Sequence, residues 1–208
     1  MRDLLYVNLT FALILKGRGE IMRLLSKANL IIVIALSMMV ILSMSASIYA
    51  NTFSGKYKTG SLTWKFAGSY SASTQKKLLK FPKRWTALSS NLNFTGEGDT
   101  YKYSRFRIRY KLTDPPTSGS LGKTFLFTKE GDSLSTSDRW WKATVSVYNN
   151  ASATTTNKHA TLVHEAGHAF SMAHCNHEGK NHIMHQGLKD YTSVSTYEKN
   201  ELIGKWGE

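Results

Sequence analysis

His164-Glu165-Ala166-Gly167-His168 constrains this chain more than any other stretch of it. Two imidazoles four residues apart lie on one face of a helix, one turn apart, where they can act on a common ligand. The apolar positions around them agree with a helix. Leu162, Val163, Ala166 and Phe170 form one inward stripe, which predicts a helix from about Lys158 to about Phe170. All seven histidines of the 208-residue chain fall between His159 and His185, a clustering that asks for a local cause.

The H-E-x-x-H pattern places two imidazoles on a metal ion with the glutamate beside it rather than bound to it. Zinc suits imidazole nitrogens at about 2.0 to 2.1 Å in tetrahedral geometry, and a site that keeps one position for water needs a third protein ligand. His174 lies six residues beyond His168. On a continued helix it would sit about 120° around from His168, so the helix must end near Phe170 or Ser171 for the chain to double back. The residues alone leave other third ligands open: His177, His182, Cys175 as a soft competitor, or Glu201, a downstream glutamate of the kind that completes thermolysin-like sites. His185 is placed to help hold a substrate, and His159 is expected in solvent.

His164 to His174 resembles the metzincin pattern H-E-x-x-H-x-x-G-x-x-H at every position but the glycine, which is Ser171 here. A serine forced into the left-handed conformation of that turn costs about 1 to 2 kcal/mol. The resemblance implies a methionine in a tight turn beneath the metal, and Met184, ten residues after His174, is its candidate. Ser61 to Phe66, the helix containing Trp85, Leu92-Asn93-Phe94-Thr95 and a terminal helix ending Lys205-Trp206-Gly207 are similar to the matrixin catalytic domain. Three features depart from it: no cysteine-bearing propeptide switch, no histidine upstream of His159 for a structural zinc, and His185-Gln186 after Met184.

What the resemblance implies is an α+β, metzincin-like fold: a twisted, mostly parallel sheet with two long helices, the zinc-site helix followed by a Met-turn and a C-terminal helix. The implied activity is that of a zinc metalloendopeptidase acting on protein or peptide substrates, with one catalytic Zn2+ on His164, His168 and His174 and Glu165 as general base. Glu97-Gly98-Asp99 and Glu130-Gly131-Asp132 are acidic turns that calcium could use by family analogy, although such turns are commonly only turns.

Around this centre the patterns are those of a sheet-rich first half. Strands are predicted at Tyr57 to Phe66, Leu92 to Phe94, Tyr103 to Leu112, Lys123 to Phe127 and Ala143 to Tyr148. A helix capped by Ser71 or Ser73 runs to about Leu88, with Pro82 splitting it near Phe81. A last helix spans about Ser195 to Lys205. Gly122 to Phe127 is the candidate edge along which an extended substrate adds as a strand.

Two apolar stretches near the start, Leu4 to Leu15 and Leu30 to Leu42, are each shorter than the roughly 20 residues of a membrane-spanning helix. The second has a secretory layout, with Met22-Arg23 and Lys27 as the positive region and Ser45 to Ala50 as the small-residue zone. We therefore expect a leader over residues 1–50, with Met22 as the true start, residues 1–21 a mis-called extension, 22–50 a signal peptide cleaved after Ala50, and a single catalytic domain over 51–208. Secretion to the medium or cell wall follows; an uncleaved leader serving as anchor is the alternative.

The domain would carry 22 Lys and Arg against 12 Asp and Glu, a net charge of +10. Such a charge favours anionic surfaces, cell-surface polymers among them, without specifying a fold. Arg105, Arg107 and Arg109 alternate and would share one strand face, which is no nucleic-acid motif. The lone Cys175 excludes an internal disulfide, so packing must stabilise a chain expected to be monomeric. A secreted, zinc-stabilised protein that binds anionic surfaces is the non-enzymatic rival.

Overall fold

The computed structural model describes residues 52–113, 115, 119–176 and 181–208. The expected leader and its cleavage after Ala50 lie outside the described residues, as does His177. Along the chain run β1 (Ser61–Phe66), α1 (Ala72–Leu79), α2 (Lys83–Thr86), β2 (Asn93–Glu97), β3 (Phe106–Leu112), β4 (Gly122–Phe127), β5 (Lys142–Tyr148), α3 (Thr155–Ala169) and α4 (Thr196–Trp206). The strands form one sheet in the order β2-β1-β3-β5-β4. β1 pairs in parallel with β2 and β3, β3 pairs in parallel with β5, and β4 closes one edge antiparallel to β5. The fold is thus α+β with a mixed, mostly parallel sheet.

Period-two alternation decides what β3 buries, whereas β5 is buried on both faces. Phe106, Ile108 and Tyr110 of β3 stand opposite Ala143, Val145 and Val147 of β5, while Thr124 and Leu126 of β4 meet Val145 and Ala143. These residues share the face on which α3 packs, across β4 and β5. Arg107 and Arg109 line a hollow on the other face. Arg105 lies just ahead of β3, where it donates to the Ser61 carbonyl at 3.0 Å and its guanidinium lies over the Trp141 ring.

Four boundaries differ from the sequence expectation by three residues or more. β1 begins at Ser61 rather than Tyr57, because Tyr57 forms only an isolated bridge with Trp140 and buries its ring against Trp140 and Phe170. β3 begins at Phe106 rather than Tyr103: Ser104 folds back to the Thr100 carbonyl and leaves Tyr103 exposed. β2 extends to Glu97, in register with Trp64. α3 starts at Thr155, a turn's worth earlier than Lys158, because Thr154 and Asn157 form a reciprocal capping box. Pro82 splits α1 from α2, and Ser71 and Ser195 cap α1 and α4.

Three buried tryptophans hold α3 in place through its carbonyls. Trp85 of α2 donates to Val163 at 2.8 Å, Trp140 to Ala169 at 3.3 Å and Trp206 of α4 to Phe170 at 2.9 Å. The last two satisfy carbonyls that the end of a helix leaves without intrahelical partners. Each indole therefore joins a large apolar burial to one polar contact, and its loss would cost about 3 to 5 kcal/mol. Among the described residues no helix is long and apolar enough to cross a membrane.

Candidate metal centre

α3 ends in the reversal its histidines require. The Ser171 N–H donates to the His168 carbonyl at 3.1 Å and the Met172 N–H to Gly167 at 2.9 Å, the paired bonds of a Schellman motif. Ser171 takes the left-handed position with φ of 78°, fully buried, its Oγ without a hydrogen-bond partner among the described residues. Gly167 is the other tight point. A Cβ there would lie 2.4 Å from the Met184 sulfur and 2.8 Å from the Trp85 ring, so only glycine lets both pack under this turn.

The reversal brings His174 back to the helix. Its Nε2 lies 3.2 Å from His164 Nε2 and 3.1 Å from His168 Nε2. Ligands on a tetrahedral zinc would stand about 3.3 Å apart at bonds of about 2.0 to 2.1 Å. The opposite nitrogens report the tautomers. Nδ1 of His164 sits 2.7 Å from the Ile183 carbonyl and Nδ1 of His168 2.7 Å from the Met172 carbonyl, so both Nδ1 atoms donate and both Nε2 lone pairs face inward. His174 Nδ1 lies 3.1 Å from the Gln186 amide, and a half-turn of that amide puts its oxygen on Nδ1 and matches His174 to the other two.

Burial keeps the donors neutral. Desolvation pushes His164 well below its ordinary range and His168 down to about 4, and it lowers His174 as well. Three neutral imidazoles with converging lone pairs repel unless a cation lies between them, and a set without thiolate or carboxylate fits zinc. The cluster is able to bind a metal ion.

The fold matches that of myroilysin. One of its solved structures has a TM-score of 0.50 and is 12% identical, over 78% of this chain and 93% of that chain. A second gives 0.48 and 12%, over 76% and 98%. At such identity the likeness speaks to the fold alone. No family model matches the sequence, and no curated protein matches it.

Glu165 follows His164 in the chain and is buried. The Thr124 hydroxyl of β4 lies 2.8 Å from its Oε2 and 2.7 Å from its carbonyl oxygen. Burial pushes its carboxyl up to about 7, with Thr124 and the charge of Lys189 pulling the other way. β4 runs close by: a Cβ on Gly122 would lie 2.6 Å from Glu165 Cγ and from Thr161 Cγ2. Cavities of about 440 and 310 Å³ open on the two flanks of the cluster, and both reach Glu165 and His174.

Beneath the site, Met184 is fully buried against Gly167, and its segment is held by Glu198 of α4. Glu198 Oε1 accepts from the Met184 N–H at 2.7 Å, while Oε2 accepts from the N–H and hydroxyl of Ser195, both at 2.8 Å. One carboxylate thus caps a helix and fixes the chain under the metal site. Phe53 stacks on His168 at 5.6 Å.

The other histidine-region residues fall outside the cluster. Glu201 is buried in α4, His182 places Nδ1 2.9 Å from the Ser195 hydroxyl, and His185 packs on His182. Cys175 is buried, its N–H bonded to the Met184 carbonyl at 3.2 Å. His159 is not in solvent as expected: it is half-buried and stacked on Phe81 at 4.2 Å, since α3 turns it into the hollow beside α1. In the acidic turns, Glu97 pairs with Lys65 and the Asp132 carboxylate lies 3.3 Å from the Thr128 hydroxyl. Gln186, Lys189 and Glu198 are contacts around the cluster that sequence reasoning missed, and Thr124 entered it only as a member of the Gly122 to Phe127 edge, without its contact to Glu165. Only Glu198 carried a signal, the Ser195-x-x-Glu198 capping pattern.

Proposed function

We propose that this chain is a secreted zinc-dependent endopeptidase of the metzincin type, with a catalytic domain similar to that of the matrixins. One observation carries the reading: three inward-facing imidazole nitrogens, in contacts of 3.1 and 3.2 Å, lie beside a buried carboxylate that is no part of the ligand set. A purely structural metal site has no use for that carboxylate, whereas hydrolysis needs a base at that place.

In this reading His164, His168 and His174 hold zinc, which when bound supplies a Lewis acid that polarises a carbonyl and acidifies water to a pKa of about 7. Glu165 takes a proton from the attacking water on its carboxylate and returns it to the leaving amine. The Thr124 hydroxyl, 2.8 Å from Oε2, keeps the carboxylate turned toward β4. An extended peptide added along the edge strand Gly122–Phe127 lies beside Glu165, because β4 passes within contact of it. Met184 takes the part of the metzincin Met-turn under the ligands. Residues 22–50 export the domain as a signal peptide, and its basic surface keeps it near anionic polymers of the cell surface.

The experiment is cleavage of a mixed peptide library by the purified chain. Cleavage should vanish on chelation and return with zinc. Glu165→Gln should keep one zinc per chain and lose turnover by a factor of about 10² to 10⁴. Zinc bound at full stoichiometry with no cleavage by the native chain would favour the zinc-stabilised binding protein, and full activity in Glu165→Gln would exclude the general-base role.

A further inference from the structure

The larger cavity beside the cluster is walled by Gly119 to Gly122 on one side and by Gln186, Gly187 and Lys189 on the other. Lys189 is only 8% exposed. Its ammonium donates to the carbonyls of His185 and Gly187, which curls this segment around the charge and holds it at the cavity wall. Carbonyl dipoles satisfy two of its three protons and leave the charge itself without a counter-ion. Among the described residues no carboxylate forms an ion pair with it. The two acids that act on it from farther off have other duties, Glu198 on Met184 and Ser195 and Glu165 beside the metal ligands.

Lys189 lines the same cavity as His164, Glu165 and His174, so its charge stands at the wall that the histidine cluster shares. A desolvated ammonium with an open proton beside a polar cavity is a receptor for an anion. The occupant must carry its charge on a short side chain, because the cavity of about 440 Å³ also takes the peptide backbone that delivers it.

We propose that Lys189 is a specificity-determining residue that makes this cavity a subsite for an Asp or Glu side chain next to the cleaved bond. The inference rests on the peptidase reading above and names its substrate class: acidic peptides, which the net charge of +10 on residues 51–208 also draws in. A lysine or arginine at the same peptide position is excluded by like charge.

The test uses the zinc-loaded full chain and peptides that differ only in carrying Asp, Leu or Lys immediately before or after the cleaved bond. At one of the two positions kcat/KM should be at least about tenfold higher for Asp than for Leu, the scale of one charge-assisted hydrogen bond, and lowest for Lys. Lys189→Met should collapse the Asp-to-Leu ratio toward one, and Lys189→Glu should move the preference to Lys. A ratio unchanged in Lys189→Met, or equal losses on all peptides, would overturn the proposal and leave Lys189 a loop brace. Fluorescence anisotropy of the same peptides on the metal-free protein reads the preference without turnover. Tighter binding of the Asp peptide, lost in Lys189→Met, sustains the acidic subsite even if no peptide is cleaved, in which case the peptidase reading alone fails.

Discussion

At Glu165 burial outweighs both the Thr124 hydroxyl and the charge of Lys189: the carboxyl moves up from its ordinary 4.5 to about 7. In the metal-free protein the folded state therefore prefers the protonated acid. The stability that preference contributes is complete below about pH 4.5 and is lost as pH rises through about 7. Glu165→Gln removes the ionisation while keeping the shape, so the variant should gain on the parent across that window, by on the order of 3 kcal/mol at its upper end. Urea denaturation of both chelated proteins at intervals from pH 4 to 8 checks this. A stability difference flat with pH would mean that the carboxyl is not desolvated. The histidines act in the opposite sense: with depressed folded values, their contribution holds above about 6.5 and is lost at lower pH, for His168 as pH falls through about 4. They are common to both proteins and cancel in the comparison. Glu165 was legible from its neighbours in the chain; Thr124, 41 residues away, was not, because only strand pairing sets it against the carboxylate.

At the scale of elements, the end of α3 is where local cost and function meet. Ser171 occupies a left-handed position with φ of 78° and hides an Oγ that no donor or acceptor among the described residues reaches. The reversal that needs this conformation swings His174 onto the two helical histidines. Ser171→Gly should raise stability by about 1 kcal/mol by removing the Cβ conflict. Ser171→Ala keeps that conflict and removes only the hydroxyl. Denaturant midpoints of the two variants separate the causes: equal gains would assign the cost to the buried hydroxyl rather than to the backbone. The serine was visible in the sequence as a departure from the metzincin pattern, and its cost could be stated in advance. The early start of α3 at Thr155 was missed because the Thr154 and Asn157 cap lies in a polar stretch that offers no apolar period.

For the whole molecule, the ligand set joins a helix to the chain that follows it, and that chain is pinned in turn by α4 through Glu198. A metal ion held by these three histidines would therefore be coupled to the folding of the described domain. Zinc at 100 times its dissociation constant should add about 2.7 kcal/mol of stability, read as a rise in melting temperature that chelation reverses. His174→Ala should lose most of that rise while melting cooperatively. A melting temperature indifferent to zinc in the native chain would show that the cluster holds no ion. Taken alone, the order of residues determined whatever depends on near neighbours: strand alternation, the split at Pro82, a cap at Ser71 or Ser73 and another at Ser195 or Thr196, and the pair His164 and His168 with Glu165 between them. Tertiary structure decided the rest, choosing His174 over Glu201 and setting Trp85 on the Val163 carbonyl, Lys189 at the cavity wall and Glu198 under Met184. The physical reason is range. A helix or strand period repeats over a few residues and leaves a local pattern, whereas a contact between Trp85 and Val163 spans 78 positions and exists only once sheet, helix and turn have closed around a common core.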